Sequence, residues 1–358
     1  MLNFAVGPVM SEDYLLRISG EQVPYFRTNE FSQVVLESES WMKTLVKAPQ
    51  DFRVLFITGS GTASMEAAVM NVFTPNDKVL VVNGGSFGTR FCQLCQIHHI
   101  RHDEILVPFG CNVSDELLAE YSGRGYTGFL INVCETSTGV LYDMESVSRF
   151  CKREGLILVA DAVSSFLSDP FCMDEWGVDV MITGSQKALA CQPGISVMVL
   201  SPRAVARVNA NTPRTMYFDL KSALKNAERG QTPFTPAVAT ILQIHAKLKA
   251  MSEMGIATKI QRTHEQAQDF RNRIKSLPLE ITSQSLSNTV TPLHPLSMKP
   301  AEIVRRLKDS YGIWVCPNGG TIGEKIFRVG HIGDLHISDN ERLVSAMKEI
   351  LATSEING

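Results

Sequence analysis

The sequence predicts an α/β fold, with a large domain on a mainly parallel sheet and a smaller C-terminal α+β domain. Between residues 54 and 200, short apolar runs alternate with segments whose apolar residues recur at helical spacing. This alternation is typical of doubly wound domains, in which helices cover both faces of a parallel sheet. The runs are nearly uninterrupted, as expected for strands buried on both faces. With 358 residues, 44% of them hydrophobic, the chain is long enough for such a pair of domains.

The elements follow in order along the chain. Residues 1–11 are expected to form an extended arm with a turn at Gly7-Pro8. Apolar residues at helical spacing predict an amphipathic helix from Phe31 to Leu45. The strands of the large sheet are predicted at 54–57, 78–82, 128–134, 156–161, 178–182 and 195–200. The later elements are predicted as helices at 238–252, 264–277 and 301–310 and strands at 312–316 and 326–332. The proposed domains are the arm 1–11, a large domain 12–250 and a small domain 251–358.

Composition and charge indicate an ordinary globular protein. The net charge of −3 gives no reason to expect nucleic acid or a membrane surface as a partner. The first residues lack the basic and apolar regions of a signal peptide, and no apolar run approaches the ~18 residues of a membrane span. We therefore expect a cytoplasmic protein.

The eight cysteines are scattered and several lie in apolar runs, which favours reduced, buried thiols over a disulfide framework. Cys92-x-x-Cys95 is followed by His98, His99 and His102, a group that could bind a metal. No second pair at zinc-site spacing accompanies it, and Cys92, Cys95 and His99 fall near one face of a predicted helix. We predict packing of this helix and no metal site.

Two polar residues follow successive buried strands. Lys187 comes after the strand at 178–182 and before the strand at 195–200, where desolvation would lower the pKa of its amine. Such a lysine can condense with an aldehyde to form a Schiff base. Asp161 ends the strand at 156–161, at the sheet edge where α/β folds bind ligands. A carboxylate there can pair with a protonated ring nitrogen. An exposed lysine and a turn aspartate are the alternatives.

A glycine-containing loop between the strand at 54–57 and the next helix is a candidate phosphate site. Ser60, Gly61 and Thr62 lie at the helix start, where free N–H groups attract phosphate. A dinucleotide fingerprint would require glycine at 64, where this chain has Ser64, and the Gly-Lys-Ser/Thr of a nucleotide-triphosphate loop is absent.

Five motifs occur together, in the order Gly59-Ser-Gly-Thr-Ala-Ser-Met-Glu-Ala67, Asn83-Gly-Gly-Ser-Phe-Gly88, Glu135-Thr-Ser-Thr-Gly-Val140, Asp161-Ala-Val-Ser-Ser165 and Gly184-Ser-Gln-Lys-Ala188. In this order they resemble the class V aminotransferases, which are pyridoxal 5′-phosphate enzymes of the aspartate aminotransferase superfamily, fold type I. The alanine–glyoxylate and serine–pyruvate branch is the most similar. The resemblance runs from Gly7-Pro8 to Arg328 and implies a seven-stranded type of large sheet.

The resemblance implies roles for individual residues. Lys187 and Asp161 would be catalytic, Arg328 would bind the substrate carboxylate, and Gly7 would lie near the substrate. A structural ion pair is the alternative for Arg328. The cofactor-binding set implied is Ser60, Gly61, Thr62, Phe87, Thr136, Asp161, Val163, Gln186, Lys187 and Thr235. In this set Phe87 would stack on the ring, Thr136 would lie near its phenolic oxygen and Gln186 near the phosphate.

The loop that contains Thr235 is the reason to expect a homodimer. In the family, the matching loop crosses to the other subunit and contacts the cofactor phosphate bound there. Thr232 stands where one branch has an aromatic hydroxyl. Tyr25 or Arg27 could also approach the active site, although an exposed loop arginine is the simpler interpretation.

The predicted function is transfer of an amino group between a small amino acid, alanine or serine, and a small 2-oxo acid, glyoxylate or pyruvate. Aspartate and 2-aminoethylphosphonate–pyruvate transaminases are alternatives. A cysteine desulfurase would need a thiol on a mobile loop, for which Cys316, in an apparent turn, is the candidate. A non-catalytic binding protein that kept the fold is a further alternative.

Overall fold

The computed structural model describes residues 1–352, which form fourteen strands and fourteen α-helices. The strands are β1 Leu2–Phe4, β2 Arg53–Thr58, β3 Lys78–Asn83, β4 Arg101–Leu106, β5 Gly128–Asn132, β6 Cys134–Glu135, β7 Val140–Leu141, β8 Ile157–Asp161, β9 Val180–Gly184, β10 Ile195–Leu200, β11 Leu279–Ile281, β12 Val290–Pro295, β13 Ile313–Pro317 and β14 Phe327–Gly330. The helices are α1 Asp13–Ser19, α2 Asn29–Leu45, α3 Gly61–Val72, α4 Ser86–Ile97, α5 Asp115–Ala119, α6 Met144–Glu154, α7 Met173–Trp176, α8 Pro202–Ala210, α9 Leu220–Ala227, α10 Val238–Met254, α11 Ile256–Arg273, α12 Pro300–Tyr311, α13 Gly320–Gly323 and α14 Ile337–Ala352, with a 3-10 turn at Ile274–Ser276.

The large sheet has seven strands in the order β2-β10-β9-β8-β5-β3-β4. The pairs β3–β4, β3–β5, β5–β8 and β8–β9 are parallel, and β10 runs antiparallel to both β2 and β9. The prediction of a mainly parallel sheet is therefore confirmed. Because β8 and β9 are adjacent and parallel, their carboxyl ends lie at the same edge, which places Asp161 and the residues after Gly184 side by side.

Helices cover both faces of this sheet. Phe129 and Ile131 of β5 belong to an apolar cluster that includes residues of α2, α6 and α10. Leu130, between them in the strand, belongs to a second cluster with residues of α3, α4, α8 and α9. Successive side chains of a strand point to opposite faces, so both faces of β5 are buried, as its uninterrupted apolar run predicts.

The second sheet has five strands in the order β1-β13-β14-β12-β11, and α11, α12 and α14 pack on its apolar core. Residues 2–4, expected as part of an extended arm, form β1 and pair in parallel with β13. The Gly7-Pro8 peptide that follows is cis. The proposed domain limit at residue 250 falls inside α10, which ends at Met254.

Several predicted boundaries were wrong. Helix α11 begins at Ile256 instead of 264, and α4 ends at Ile97, so His99 lies outside it with a positive φ of 57°. Strand β4 was missed because its sequence, Arg-His-Asp-Glu-Ile-Leu, lacks an apolar run. It is the edge strand of the large sheet, and an edge strand tolerates polar residues on its open side. Among residues 1–352, no helix is both long and apolar enough to cross a membrane.

Candidate active site

A cavity of about 310 Å3 opens at the carboxyl ends of β8 and β9. Asp161 is the last residue of β8, and Lys187 follows the end of β9 by three positions. The predicted site residues that line this cavity are Gly7, Ser60, Gly61, Thr62, Phe87, Thr136, Asp161, Val163, Gln186 and Lys187. Two predicted site residues, Arg328 and Thr235, lie outside its lining.

Lys187 presents a buried amine to this cavity. Its side chain is 8% exposed, and Nζ makes no hydrogen bond or ion pair with any residue in the described part of the chain. Burial is the main cause and the positive charge of Arg328 the second cause that lower the pKa of this amine from 10.5 to about 8. Gly7 lies against the lysine stem, and a Cβ on Gly7 would come 2.6 Å from Lys187 Cδ. The fold therefore gives this lysine a neutral fraction at neutral pH and leaves space beside it that a larger residue would fill.

Asp161 is a buried carboxylate held by two neutral donors. Its Oδ1 accepts a hydrogen bond from the Val163 backbone N–H at 2.8 Å, and its Oδ2 accepts one from Asn132 Nδ2 at 2.7 Å. Within the described residues no cation forms an ion pair with it, and burial raises its pKa to about 6. A buried carboxylate without a cationic partner is a site that a protonated ring nitrogen would complete.

The loop after β2 leads into the N-terminus of α3. Ser60 precedes the helix, whose first residues are Gly61 and Thr62. A Cβ on Gly61 would come 2.6 Å from Val163 Cγ2, so glycine lets the helix start approach the residues that hold Asp161. The Gln186 Oε1 atom, which belongs to the same cavity lining, is buried without a hydrogen-bond partner. Free N–H groups at a helix start are suited to an anion, whereas the unpaired Gln186 oxygen is an acceptor and needs a donor.

Phe87 lies in the first turn of α4, and its backbone is fixed by Glu135. The Glu135 carboxylate is 0% exposed and accepts hydrogen bonds from the N–H groups of Phe87 at 3.1 Å and Gly88 at 3.0 Å. Ser137 adds its own N–H at 3.1 Å. A carboxylate at a helix N-terminus interacts favourably with the helix dipole. Although Glu135 belongs to a quoted motif, its role was missed, since these contacts join residues nearly fifty positions apart.

Arg90 is a cavity residue that the sequence did not reveal. Its guanidinium lies 4.7 Å from the centroid of the Phe87 ring, and its Nη1 donates a hydrogen bond to Thr62 Oγ1 at 2.9 Å. One cation thus connects the expected stacking residue to the expected phosphate loop. The signal available was the helical spacing of Phe87 and Arg90, three residues apart in α4, which puts both on one face.

Ser164 also lines the cavity unpredicted, hydrogen-bonded through its hydroxyl to that of Thr136.

Arg328 lies in β14, beside the cavity. Its Nη1 donates to the Thr136 carbonyl at 3.0 Å and its Nη2 to the Pro317 carbonyl at 2.7 Å, whereas its Nε is buried without a partner. No carboxylate among residues 1–352 forms an ion pair with it. The alternative of a structural ion pair is therefore wrong for the described chain. Arg328 lowers the pKa of Lys187, so its charge acts on the same site.

Cys316 lies in β13, opposite Arg328, and not in a flexible turn as expected. Its Sγ accepts a hydrogen bond from Arg328 Nη2 at 3.2 Å. The thiol is therefore held by a paired strand and by a guanidinium.

Thr235 is exposed and lines a different cavity, together with Tyr217 and Asp219. Arg27 is half-buried rather than exposed, and it donates to the carbonyls of Thr232 at 2.7 Å and Pro233 at 2.9 Å. It therefore fixes the loop that carries Thr235.

Tyr25 is 69% exposed and does not line the cavity around Lys187.

Among the described residues, one group of three possible metal ligands lies close together, Cys92 of α4 with His102 and Glu104 of β4. Their ligand atoms lie within 4.8 Å of one another, and the carboxylate of Glu104 already accepts a hydrogen bond from Asn83 Nδ2 at 2.7 Å. His99, which the helical pattern placed beside Cys92, is not in this group.

Comparison with known proteins gives one consistent family. Residues 13–325 match the family described as Aminotransferase class-V. The soluble hydrogenase small subunit of Synechococcus sp. (strain PCC 6716) is 30% identical over 353 residues, covering 97% of this chain and 91% of that protein. The L-aspartate–glyoxylate aminotransferase of Paracoccus denitrificans is 30% identical over 320 residues, covering 86% of this chain and 80% of that protein.

Among solved structures, the alanine–glyoxylate aminotransferase of Nostoc sp. superposes with a TM-score of 0.92 at 25% identity, covering 98% of this chain and 95% of that one. The family match spans most of the sequence, and the site has the buried lysine and aspartate that the motifs predict. The chain belongs to the class V aminotransferases and is a transaminase of fold type I.

Proposed function

We propose that this aminotransferase uses pyridoxal 5′-phosphate to exchange an amino group between alanine or serine and glyoxylate or pyruvate. One observation carries the proposal: an unpaired, buried amine at Lys187 and a buried carboxylate without a cation at Asp161 line one cavity of about 310 Å3. Each group lacks the partner that an aldehyde and a pyridinium nitrogen on one ring would supply.

The residues present fit this cofactor along its whole length. At the phosphate end, the start of α3 with Thr62 and the side chain of Gln186 line the cavity, and the N–H₂ group of the Gln186 amide is a donor. Arg90 donates to Thr62 and contributes the positive charge that a phosphate dianion needs there. Phe87 offers a flat apolar surface for the ring. When bound, the cofactor supplies an aldehyde that takes up the amino group and a ring that accepts electrons from the substrate Cα.

Lys187 holds the cofactor through its amine and afterwards moves the substrate proton. With a pKa of about 8, Nζ accepts a proton from Cα readily near neutral pH and can return it. Arg328 depresses that pKa through its charge. A substrate carboxylate bound to Arg328 would offset the charge, so the amine becomes a stronger base once substrate is in place. Asp161 keeps the ring nitrogen protonated, and its own charge is stabilised by that pairing.

Arg328 is the proposed carboxylate site. Its guanidinium is oriented by the carbonyls of Thr136 and Pro317 and retains a buried, unpaired Nε. An arginine with fixed orientation and spare donors binds a planar carboxylate well. Besides Arg328, which lies next to the cavity, the cations at this site among the described residues are Lys187 and Arg90 in the lining. Lys187 is needed for the cofactor and Arg90 is engaged at the phosphate end. This chain therefore offers one carboxylate site, which favours a monocarboxylic donor such as alanine or serine.

Aspartate and 2-aminoethylphosphonate remain the competing donors, and the Paracoccus relative is named for aspartate and glyoxylate. An aspartate donor would need a second cation for its side chain, which a partner subunit could provide. The Synechococcus relative is named as a hydrogenase subunit, but of the side chains lining this cavity one alone is a thiol, that of Cys134. Metals that activate hydrogen favour several thiolate ligands, and the residues lining this cavity do not provide them.

We further propose a homodimer in which Thr235 completes the phosphate site of the other subunit. Thr235 is exposed, lies outside the cavity of its own chain, and is carried on a loop that Arg27 holds by two hydrogen bonds. A rigid loop with an exposed hydroxyl is suited to a fixed contact across an interface.

The cofactor assignment is tested by mixing the protein with one equivalent of pyridoxal phosphate, reducing with borohydride and mapping the modified peptide. We expect the pyridoxyl group on Lys187. Lys43 is an internal control, because it is buried and does not line this cavity. Modification of Lys43 to the same extent as Lys187, or no modification of Lys187, contradicts the proposal.

The donor is tested by single-turnover absorbance changes on mixing loaded enzyme with alanine, serine, aspartate and 2-aminoethylphosphonate in separate experiments. We expect alanine and serine to react fastest, and Arg328→Gln to slow both alike. A faster reaction with aspartate, or with the phosphonate, would replace the proposed donor.

A further inference from the structure

A second cavity, of about 170 Å3, has three cationic side chains and two histidines in its lining and shares no lining residue with the cavity around Lys187. It lies where α10 and α11 meet Glu12 and the loop that follows β14. Its charged lining residues are Lys247, Lys259, Arg262 and Glu12. Asp334, just outside the lining, also acts on Lys259. Even with Asp334 counted, three cations face two acids, so the site has an excess of positive charge.

Only one of these cations has a direct partner. Lys247 is 2% exposed and its Nζ binds Glu12 Oε1. The half-buried Lys259 makes no side-chain hydrogen bond or ion pair within residues 1–352, and its pKa falls to about 8 because of burial and the charge of Lys247. Arg262 is exposed and likewise has no ion pair in the described chain. A partly desolvated ammonium beside other cations is unfavourable unless an anion compensates for it.

His331 adds a neutral donor to the same cavity. The Thr291 hydroxyl accepts a hydrogen bond from Arg271 Nε at 2.9 Å and lies 2.8 Å from His331 Nε2. We assign the hydroxyl hydrogen to the bond with Nε2, which puts the ring hydrogen on Nδ1. Burial and the charge of Arg271 lower the pKa of His331 well below its usual value, so the ring is neutral. Its Nδ1 is buried and has no hydrogen-bond partner.

We propose that this cavity is a binding site for a small phosphate-bearing anion, held by Lys259 and Arg262 with the His331 Nδ1–H as a neutral donor. The excess charge suits a dianion better than a monocarboxylate, and an arginine beside a lysine is a common way to bind phosphate. The volume of about 170 Å3 is more than ten times the ~15 Å3 that a cavity needs to hold one water molecule, so a phosphate fits.

The site is placed on two chain segments that lead into the catalytic cavity. Glu12 follows Gly7 by five positions, and His331 follows Arg328 by three. The two segments also touch directly, since the Asp334 N–H donates to the Met10 carbonyl at 3.0 Å. An anion bound between them would hold the two segments together, and a rise in Tm is therefore expected on binding.

The experiment uses protein loaded with pyridoxal phosphate, so that the phosphate loop of the catalytic cavity is filled. Inorganic phosphate is titrated in by isothermal calorimetry at low ionic strength, with glycerol 3-phosphate in a parallel titration to distinguish a free from an esterified phosphate. We expect saturable binding with one site per chain for whichever of the two phosphates binds more tightly. Losing one charged hydrogen bond should weaken binding about tenfold or more in Lys259→Gln and in Arg262→Gln.

Two controls make the result decisive. Lys249→Gln removes an exposed lysine of α10 that does not line the cavity and should leave the Kd unchanged. Arg328→Gln should also leave it unchanged, which separates this site from the substrate site. Should Lys259→Gln fail to fold, Arg262→Gln decides the question, since Arg262 is exposed. The inference is overturned if wild-type protein shows no saturable binding, if binding disappears in Arg328→Gln, or if Lys249→Gln weakens it as much as Lys259→Gln.

Discussion

Replacing Asp161 by asparagine is expected to stabilise the cofactor-free protein while disabling the loaded enzyme. Burial raises the pKa of Asp161 from 3.8 to about 6, a change that corresponds to about 3 kcal/mol. Because the folded state holds this proton more tightly than the unfolded state, the stability of the cofactor-free protein falls as pH rises from about 4 to about 6. Above pH 6 the Asp161 carboxylate is charged in both states, and its burial lowers the free energy of unfolding by the full amount. Asp161→Asn removes this charge and with it the loss of stability.

The local hydrogen bonds allow this substitution. The new side chain keeps its acceptor for the Val163 N–H, while its amide N–H₂ group would face Asn132 Nδ2. Asn132 Oδ1 has no partner in the fold, so rotation of the Asn132 amide group turns an acceptor toward the new donor. The gain in unfolding free energy at pH 7.5 should therefore approach the full value of about 3 kcal/mol.

Turnover should change in the opposite direction. With cofactor bound, Asp161 is the proposed partner of a buried ring cation, and removing one partner of a buried ion pair costs roughly 3–5 kcal/mol. At about 1.4 kcal/mol for each tenfold change, we expect the first half-reaction with alanine to slow by roughly 100-fold to 1,000-fold or more. Stopped-flow absorbance measures this rate, and thermal melts of cofactor-free protein between pH 4 and 8 measure stability.

Asp169→Asn is the matched control. Asp169 is 1% exposed, burial raises its pKa also to about 6, and it accepts from Ser287 Oγ and the Asn288 N–H, away from the catalytic cavity. Folded Asp169→Asn protein should carry out the half-reaction at the wild-type rate. The reasoning about Asp161 is refuted if both variants lose the rate equally, or if Asp161→Asn reacts as fast as the wild type.

Three further predictions follow from the same cavity. Arg90→Gln should weaken the binding of pyridoxal phosphate but not that of pyridoxal in equilibrium titrations, because the arginine is proposed to act on the phosphate. If both ligands bind equally more weakly, Arg90 acts on the ring instead. In cofactor-free protein, Arg328→Gln should raise the pKa of Lys187 from about 8, measured by the pH dependence of amine acylation, and an unchanged profile contradicts the charge coupling. A Cβ on Gly61 would come 2.6 Å from Val163 Cγ2, so Gly61→Ala should reduce the affinity for the cofactor. Adding Val163→Ala removes the clash and should restore the affinity; if it does not, the steric explanation is wrong.

Some parts of the site could be predicted because they depend on local sequence. Lys187 and Asp161 each follow a buried apolar run, and two adjacent parallel strands bring their ends together without further information. The same holds for Gly61 and Thr62, which mark a helix start directly after a strand. The roles of these residues were inferred from motifs in a fixed order, and the family match agrees with that inference.

Other parts depend on contacts between distant residues. The parallel pairing of β1 with β13 joins residues more than three hundred positions apart, and nothing in Leu2–Phe4 indicates which edge it joins. Glu135, Arg90 and Cys316 likewise gain their roles from contacts with distant residues, which only packing brings close. For Cys316 the strand was predicted, but its pairing with Arg328 was not.

The sequence by itself determined the fold class, the strand ends that carry the lysine and aspartate, and the family. Periodicity and residue type are local properties, so a single chain is enough to read them. Only the tertiary structure decided that Lys187 is buried without a hydrogen-bond or ion-pair partner among residues 1–352 and that Asp161 is buried without a cationic one. It also decided that Arg328 has no carboxylate partner in residues 1–352 and that Lys259 shares a cavity with Arg262. The physical reason is that burial and charge pairing depend on side chains brought together from distant parts of the chain, and these set the pKa of each group.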